Sequence, residues 1–237
     1  MPTNYVAITG ATHGIGRAAA EHFAGRGWNV AIGARNQDEL ADLAADWSAR
    51  FPASELVTIA ADLGTPAGWA AFNEQLLTRW PRLNLLLNNL GVFAPGSLLS
   101  GPADQLSQFL HTNLLCAHAL TRGVLPLLRQ AGRAHIITIG SVAVYDQPTH
   151  MPAYSISKAA LHAWHHYLRA ELADTHIRAS LLVPGATYTR SWEGVDVNPS
   201  HLLQPEQLAA TIGRLWDDNQ AQDTDQLIIR PITKTTD

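Results

Sequence analysis

Lysine and cysteine are nearly missing from this chain of 237 residues: it has two lysines against fourteen arginines, and one cysteine. With Cys116 alone, no disulfide can form within the chain. Cys116 lies in the apolar stretch LLCAHAL with no cation near it in sequence. That setting suits a small buried hydrophobe and not an activated thiol. Charge is sparse and nearly balanced, 16 basic against 20 acidic residues, and no basic block occurs. A nucleic-acid surface is therefore not indicated. No apolar run reaches the ~20 residues that a bilayer span requires. The opening MPTNYVAITG has neither the charged nor the apolar region of a secretory signal. These absences lead us to expect a cytoplasmic protein with no membrane or nucleic-acid partner.

What is present is an alternation. Short apolar runs at Tyr5–Thr9, Asn29–Gly33, Val57–Ala61, Leu83–Asn88, His135–Gly140, Ser180–Val183 and Leu227–Arg230 read as strands. Between them, helical patterns cover about Ile15–Arg26, Gln37–Arg50, Pro66–Arg79, Ala103–Gln130, Tyr154–Asp174 and Pro205–Asp217. Strands apolar on both faces and separated by helices predict a parallel sheet of about seven strands, covered on both sides. No linker, repeat or low-complexity segment interrupts the pattern, so residues 1–237 read as one doubly wound α/β domain. Ligands of such sheets bind beyond the carboxyl ends of the strands. Functional residues should therefore stand just after strands.

The first strand runs into Thr9-Gly10-Ala11-Thr12-His13-Gly14-Ile15-Gly16 and then a helix. Glycine allows positive φ, and without a Cβ it lets a pyrophosphate approach the backbone. The helix start offers free N–H groups to the anion. The spacing is G-x-x-x-G-x-G, not the commoner G-x-G-x-x-G. After the second strand come Gly33, Ala34, Arg35 and Asn36, none acidic; the next acids, Asp38 and Glu39, fall within the helix. An acid at this point usually binds the adenosine ribose of NAD. Arg35, helped by His13, could instead pair with a 2′-phosphate. NADP(H) is thus expected over NAD(H).

One of the two lysines stands in Tyr154-Ser155-Ile156-Ser157-Lys158. At i, i+4 a helix puts the phenol and the ammonium on one face. An ammonium nearby lowers a phenol's pKa from about 10. Upstream, Ser141 follows a strand, where its hydroxyl can hold a substrate carbonyl. Asn88-Asn89-Leu90-Gly91 ends another strand, Asn113 lies in the helix beyond, and Pro184-Gly185 leads to Thr187 and Thr189.

Taken in order, TGATHGIG, Asp62, NNLG, Asn113, Ser141, YSISK and PGATYT resemble the short-chain dehydrogenase/reductase family over nearly the whole chain. The resemblance implies a Rossmann-type fold and hydride transfer between a nicotinamide cofactor and a carbonyl or secondary alcohol. It implies Tyr154 as proton donor and acceptor, with Lys158 tuning it and binding the nicotinamide ribose. Ser141 would hold the carbonyl oxygen, and Asn113 would support a water of the proton relay. The cofactor would lie against Gly10, Thr12, His13, Gly14, Ile15, Gly16, Arg35, Asp62, Leu63, Asn89, Gly91, Pro184, Gly185, Thr187 and Thr189, besides Tyr154 and Lys158. A homodimer or homotetramer is implied as well, through the helices Ala103–Gln130 and Tyr154–Asp174. Three departures stand out. Leu90 replaces the usual alanine, Thr12 replaces the usual serine, and the C-terminus lacks the family's acidic-Gly-Gly ending.

Val142, Val144, Tyr145, Gln147, His150, Met151, Tyr188 and Trp192 are candidate walls, with Tyr188–Gln204 as a lid. They favour an apolar or aromatic ketone or aldehyde. His162, His165 and His166 cluster on the Tyr154 helix without a completing ligand, so no metal is expected; a helix face at a subunit contact is preferred. Two alternatives stay open: a non-catalytic NADP(H) sensor on the same fold, and an NAD-dependent alcohol dehydrogenase.

Overall fold

The computed structural model describes residues 3–218 and 224–232. Lys234 and the polar end of the chain lie outside them. Seven strands form one sheet: β1 (Tyr5–Thr9), β2 (Asn29–Ala34), β3 (Leu56–Ala60), β4 (Leu85–Asn88), β5 (Ala134–Ile139), β6 (Ile177–Pro184) and β7 (Gln226–Ile229). All pairs are parallel, in the order β3-β2-β1-β4-β5-β6-β7. The chain winds outward from β1 to β3, then crosses back to β4 and winds the other way. The reversal leaves a crevice beyond the carboxyl ends of β1 and β4, where such sheets bind ligands.

The helices are α1 (Gly14–Ala24), α2 (Gln37–Ala45), α3 (Trp47–Arg50), α4 (Pro66–Arg79), α5 (Gln105–Leu110), α6 (Cys116–Gln130), α7 (Ala143–Asp146), α8 (Pro152–Leu172) and α9 (Pro205–Asp217). Proline stands at the first helical position of α4, α8 and α9, where its missing N–H costs nothing. Alternate residues of each central strand feed two cores. Val6, Ile8, Val30 and Ile32 meet Phe23, Ile212 and Trp216 on the α1/α9 side. Ala7, Leu86 and Ile136 meet Phe72, Leu76 and Leu120 on the other. Each fully buried large side chain contributes about 1.5–3 kcal/mol. That double burial is why the central strands read as unbroken apolar runs.

Two of the helices expected to be continuous are broken. Asp46 leaves helical geometry and divides α2 from α3. A π-helical turn at His111–Leu115 divides α5 from α6. The short α7 was not foreseen: four residues carry too little periodicity to show it. No helix among the described residues is long and apolar enough to cross a membrane.

Candidate active site

The glycine turn joins β1 to α1 across the crevice. Gly10 and Gly14 have φ of +65° and +56°, which side-chain-bearing residues rarely adopt. A Cβ on Gly16 would lie 2.5 Å from the Gly10 carbonyl oxygen and 2.6 Å from Asn89 Nδ2. The turn is held by Asn89, whose Nδ2 donates to the carbonyls of Thr9 at 2.9 Å and Gly10 at 2.8 Å. Thr9 Oγ1 in turn accepts from the N–H groups of Asn89 and Leu90. Asn89 is thereby a brace under the turn, and Leu90 packs on Gly10. This open backbone face at a helix start fits a pyrophosphate.

β4 and β5 deliver the second group. Ser141 follows β5 and is buried; its hydroxyl accepts from the Ala143 N–H at 3.1 Å. It also lies beside the Tyr154 phenol and favours its ionised form. Lys158 is 3% exposed, and its Nζ donates to the Ile139 carbonyl at 2.9 Å. One turn further along α8, His162 Nε2 accepts from the Ser141 N–H at 3.3 Å. α8 thus carries the phenol and also pins the strand end that carries the serine. Phe93, after β4, meets the Tyr154 ring edge-on at 5.4 Å. A Cβ on Gly91 would come within 3.3 Å of Lys158 Nζ, so the NNLG segment abuts the ammonium.

Burial sets the protonation states. It pushes the Tyr154 phenol up, opposed only by Ser141. Among the described residues Lys158 makes no direct hydrogen bond to the phenol; its Nζ stands 6.0 Å from the ring centre. The ammonium faces Ile139 and not the phenol oxygen. Burial also brings Lys158 down to about 8 and His162 down to about 4, the latter helped by the Lys158 charge. Cys116 is buried, and burial raises its thiol to about 12, so it is inert as a nucleophile.

Asn113 sits in the π-helical turn and its side chain is fully engaged. Oδ1 accepts from Val92 N–H at 2.7 Å, and Nδ2 donates to Val92 O and Ser157 Oγ. π turns of this kind recur at functional sites.

Arg35 is exposed beyond β2 and has no ion pair among the described residues. His13 is engaged: its Nε2 lies 3.0 Å from Glu39 Oε2, off the line of an aligned hydrogen bond. Glu39 thus reaches back from the first turn of α2 to the glycine turn, which its helical position had hidden. Past β3, Asp62 Oδ1 accepts from Gly64 N–H. The Leu63 side chain is 1% exposed in the core, so only its backbone can edge a ligand. Thr187 Oγ1 donates to the Gly185 carbonyl, and Thr189 Oγ1 accepts from Ser191 N–H.

The lid candidate contains two 3-10 turns, Arg190–Trp192 and Pro199–His201. A bridge between Thr187 and Leu203 ties it down, and Trp192 Nε1 donates to the Thr187 carbonyl. The Tyr145 hydroxyl accepts from Gln226 Nε2, at the start of β7, while its ring lies 5.9 Å from that of His162. The three histidines of α8 meet different surroundings. His162 points at Ser141, His165 is buried at 2% exposure, and His166 is exposed. No group of three or more His, Cys, Asp or Glu among the described residues is placed to hold a metal ion. Glu39, Arg190 and Phe93 were not singled out as site residues from sequence, and His162 was noted only within a histidine cluster at an expected subunit contact. Of these, only His162 carried a signal, four residues beyond Lys158.

Comparison with known proteins agrees with this geometry. The family model described as short chain dehydrogenase matches residues 4–198. An uncharacterized oxidoreductase of Mycobacterium tuberculosis is 33% identical over 89% of this chain and 79% of its own. A rhamnolipids biosynthesis 3-oxoacyl-[acyl-carrier-protein] reductase of Pseudomonas aeruginosa is 31% identical over 87% of this chain and 81% of its own. Among solved structures, RhlG of Pseudomonas aeruginosa in an NADP active-site complex superposes with a TM-score of 0.85 at 28% identity, over 96% of this chain and 94% of that one. An alcohol dehydrogenase of Thermococcus sibiricus, complexed with 5-hydroxy-NADP, shares the fold end to end with a TM-score of 0.90 at 22% identity. The chain belongs to the short-chain dehydrogenase/reductase family of NAD(P)-dependent oxidoreductases.

Proposed function

We propose that this chain is an NADP(H)-dependent reductase of apolar or aromatic ketones and aldehydes. The observation that carries the reading is the meeting of Ser141 and Tyr154 beyond β5, with Lys158 bonded to the carbonyl of Ile139 beside them. When bound, the reduced nicotinamide supplies the hydride. The protein's own part is a proton and its placement. A phenol raised by burial keeps its proton at neutral pH, as a donor to a developing alkoxide must. Ser141 supplies a second hydrogen bond at that oxygen, and the Lys158 ammonium stabilises the phenolate left behind. The backbone of Asn113 supports a water that returns the proton.

Gly10, Gly14, Ile15 and Gly16 would carry the pyrophosphate, and Asp62 with the Leu63 backbone would edge the adenine. Asn89 and Gly91 would flank the cofactor, and Pro184, Gly185, Thr187 and Thr189 its carboxamide end. NADP(H) over NAD(H) is supported by Arg35, exposed at the end of β2 with no ion pair among the described residues, and by the NADP complex of RhlG. An apolar substrate is supported by Phe93 at 40% exposure against Tyr154, with Tyr188 and Leu98 also exposed. Leu115 and Tyr167 are exposed on the two helices of the expected self-association surface, which supports a homo-oligomer.

The test is a panel of ketones and aldehydes followed by the loss of reduced-nicotinamide absorbance. NADPH-dependent turnover is expected, and Tyr154→Phe should lower it by at least ~10²-fold while NADPH still binds. Full activity in Tyr154→Phe removes the assignment. NADPH binding without turnover across the panel would favour a sensor.

A further inference from the structure

The ends of β2 and β6 are separated by three strands, a span of about 19 Å at ~4.8 Å per strand. Arg190 follows β6 and Glu39 follows β2, yet Arg190 Nη1 donates to Glu39 Oε1 at 2.8 Å. The segment after Pro184 therefore runs over the carboxyl ends of β5, β4 and β1, across the mouth of the crevice. Thr189 confirms the path: its Cγ2 lies 3.0 Å from where a Cβ of Gly14 would be. The other Glu39 oxygen faces His13 at 3.0 Å. A carboxylate thus sits at the centre of donors from the glycine turn and from the lid. Arg35 stands nearby along the chain with no ion pair among the described residues. This is the arrangement of an anion site, filled by the protein's own side chain.

We propose that Glu39 is a stand-in anion, which holds Arg190 and His13 until the cofactor's 2′-phosphate takes them over. The proposal rests on the NADP(H) reading above. A phosphate carries more charge and more acceptor oxygens than a carboxylate, and arginine binds it bidentately. Glu39 and Arg190 are partly exposed, at 25% and 54%, so water can receive the released carboxylate. The exchange moves Arg190 from α2 to the cofactor and draws the start of the lid over it. A dinucleotide without the phosphate leaves the clasp shut. Glu39 is then a cofactor-specificity residue, and its charge opposes the 2′-phosphate. Arg190 contributes to binding only when that phosphate is present.

The test measures dissociation constants of NADPH and NADH by calorimetry on the full chain and on the variants Glu39→Gln and Arg190→Gln. Both side chains lie at the surface, so melting temperatures should hold. For Glu39→Gln, NADPH should bind about 2–5-fold tighter, the scale of a partly exposed charge pair, and NADH should change less than about 1.5-fold. For Arg190→Gln, NADPH should weaken by about 10-fold and NADH should not. Equal shifts for both dinucleotides would make the contact a mere lid latch and overturn the proposal, as would weaker NADPH binding in Glu39→Gln. The unaltered protein tests the NADP(H) reading by itself: tighter binding of NADH than of NADPH removes that reading and this proposal together. A preference for NADPH that neither variant alters removes the proposal alone.

Discussion

Lys158 Nζ stands 6.0 Å from the centre of the Tyr154 ring, but its hydrogen bond goes to the Ile139 carbonyl. The ammonium is fastened to the strand and only faces the phenol across space. It therefore acts as a fixed charge, most useful once the phenol has given up its proton. Burial does two things here: it keeps Tyr154 protonated before the reaction, and it brings the ammonium down to about 8.

The second effect predicts the pH dependence of reduction. Below about 8 Lys158 is charged and can stabilise the phenolate; above it the charge is lost. Turnover at saturating NADPH should therefore fall as pH rises through about 8. Lys158→Arg should move this limb to higher pH, since guanidinium stays charged, while lowering the plateau because its planar head does not reproduce the Ile139 bond. A pH–rate profile with the same limb in both proteins would contradict the role given to Lys158.

Gly140 tests the pinning of Ser141. An added Cβ would lie 2.3 Å from His162 Nε2, against the ring that accepts the Ser141 N–H. Gly140→Ala should cost about 1–3 kcal/mol of stability by overpacking. It should also lower kcat more than it weakens NADPH binding, because the serine moves and the glycine turn does not. Thermal melting and steady-state kinetics check the two halves. Unchanged kcat would show that the His162 contact does not place the serine.

Acid should destabilise the fold through α8. His165 is 2% exposed, its ring nitrogens have no hydrogen-bond partner among the described residues, and burial lowers it from 6.5 to about 4. Asp225 opposes that shift weakly, while Arg169, His162 and His166 reinforce it. The unfolded chain then binds more protons between pH 6.5 and 4, so stability is lost as pH falls through that window and levels off below it. The loss from His165 is at most on the order of 3 kcal/mol. His165→Leu should flatten this limb in denaturant titrations run across the window. An unaltered acid limb would move the sensitivity elsewhere, His162 being next.

The alternation of strands and helices was legible because each central strand is buried on both faces, and such runs stand out in a sequence. Gly10, Gly14 and Gly16 were legible because φ and close approach leave no other residue. The breaks at Asp46 and at His111–Leu115 were not legible. Both fall inside patterns that keep a helical period, and a π turn shifts that period by a single residue. Glu39 was hidden for a different reason. It lies in a helix by the local pattern, and its partner Arg190 is 151 residues away. The Lys158 spacing correctly predicted a shared face with Tyr154. It could not show that a main-chain carbonyl would take the ammonium. Tyr145 shows the same limit, since its turn toward Gln226 depends on where β7 ends up.

Tyr154, Lys158 and His162 recur at every fourth position of one rod, α8. Adding or removing a single residue among them would swing the later ones about 100° around the axis. The reacting groups therefore tolerate no change of length between them. The segments after β4 and β6, which line the mouth, can grow or shrink without disturbing that spacing. Descendants of this chain can thus wander in what they accept while inheriting their chemistry intact, because the two traits are written on separate stretches of backbone.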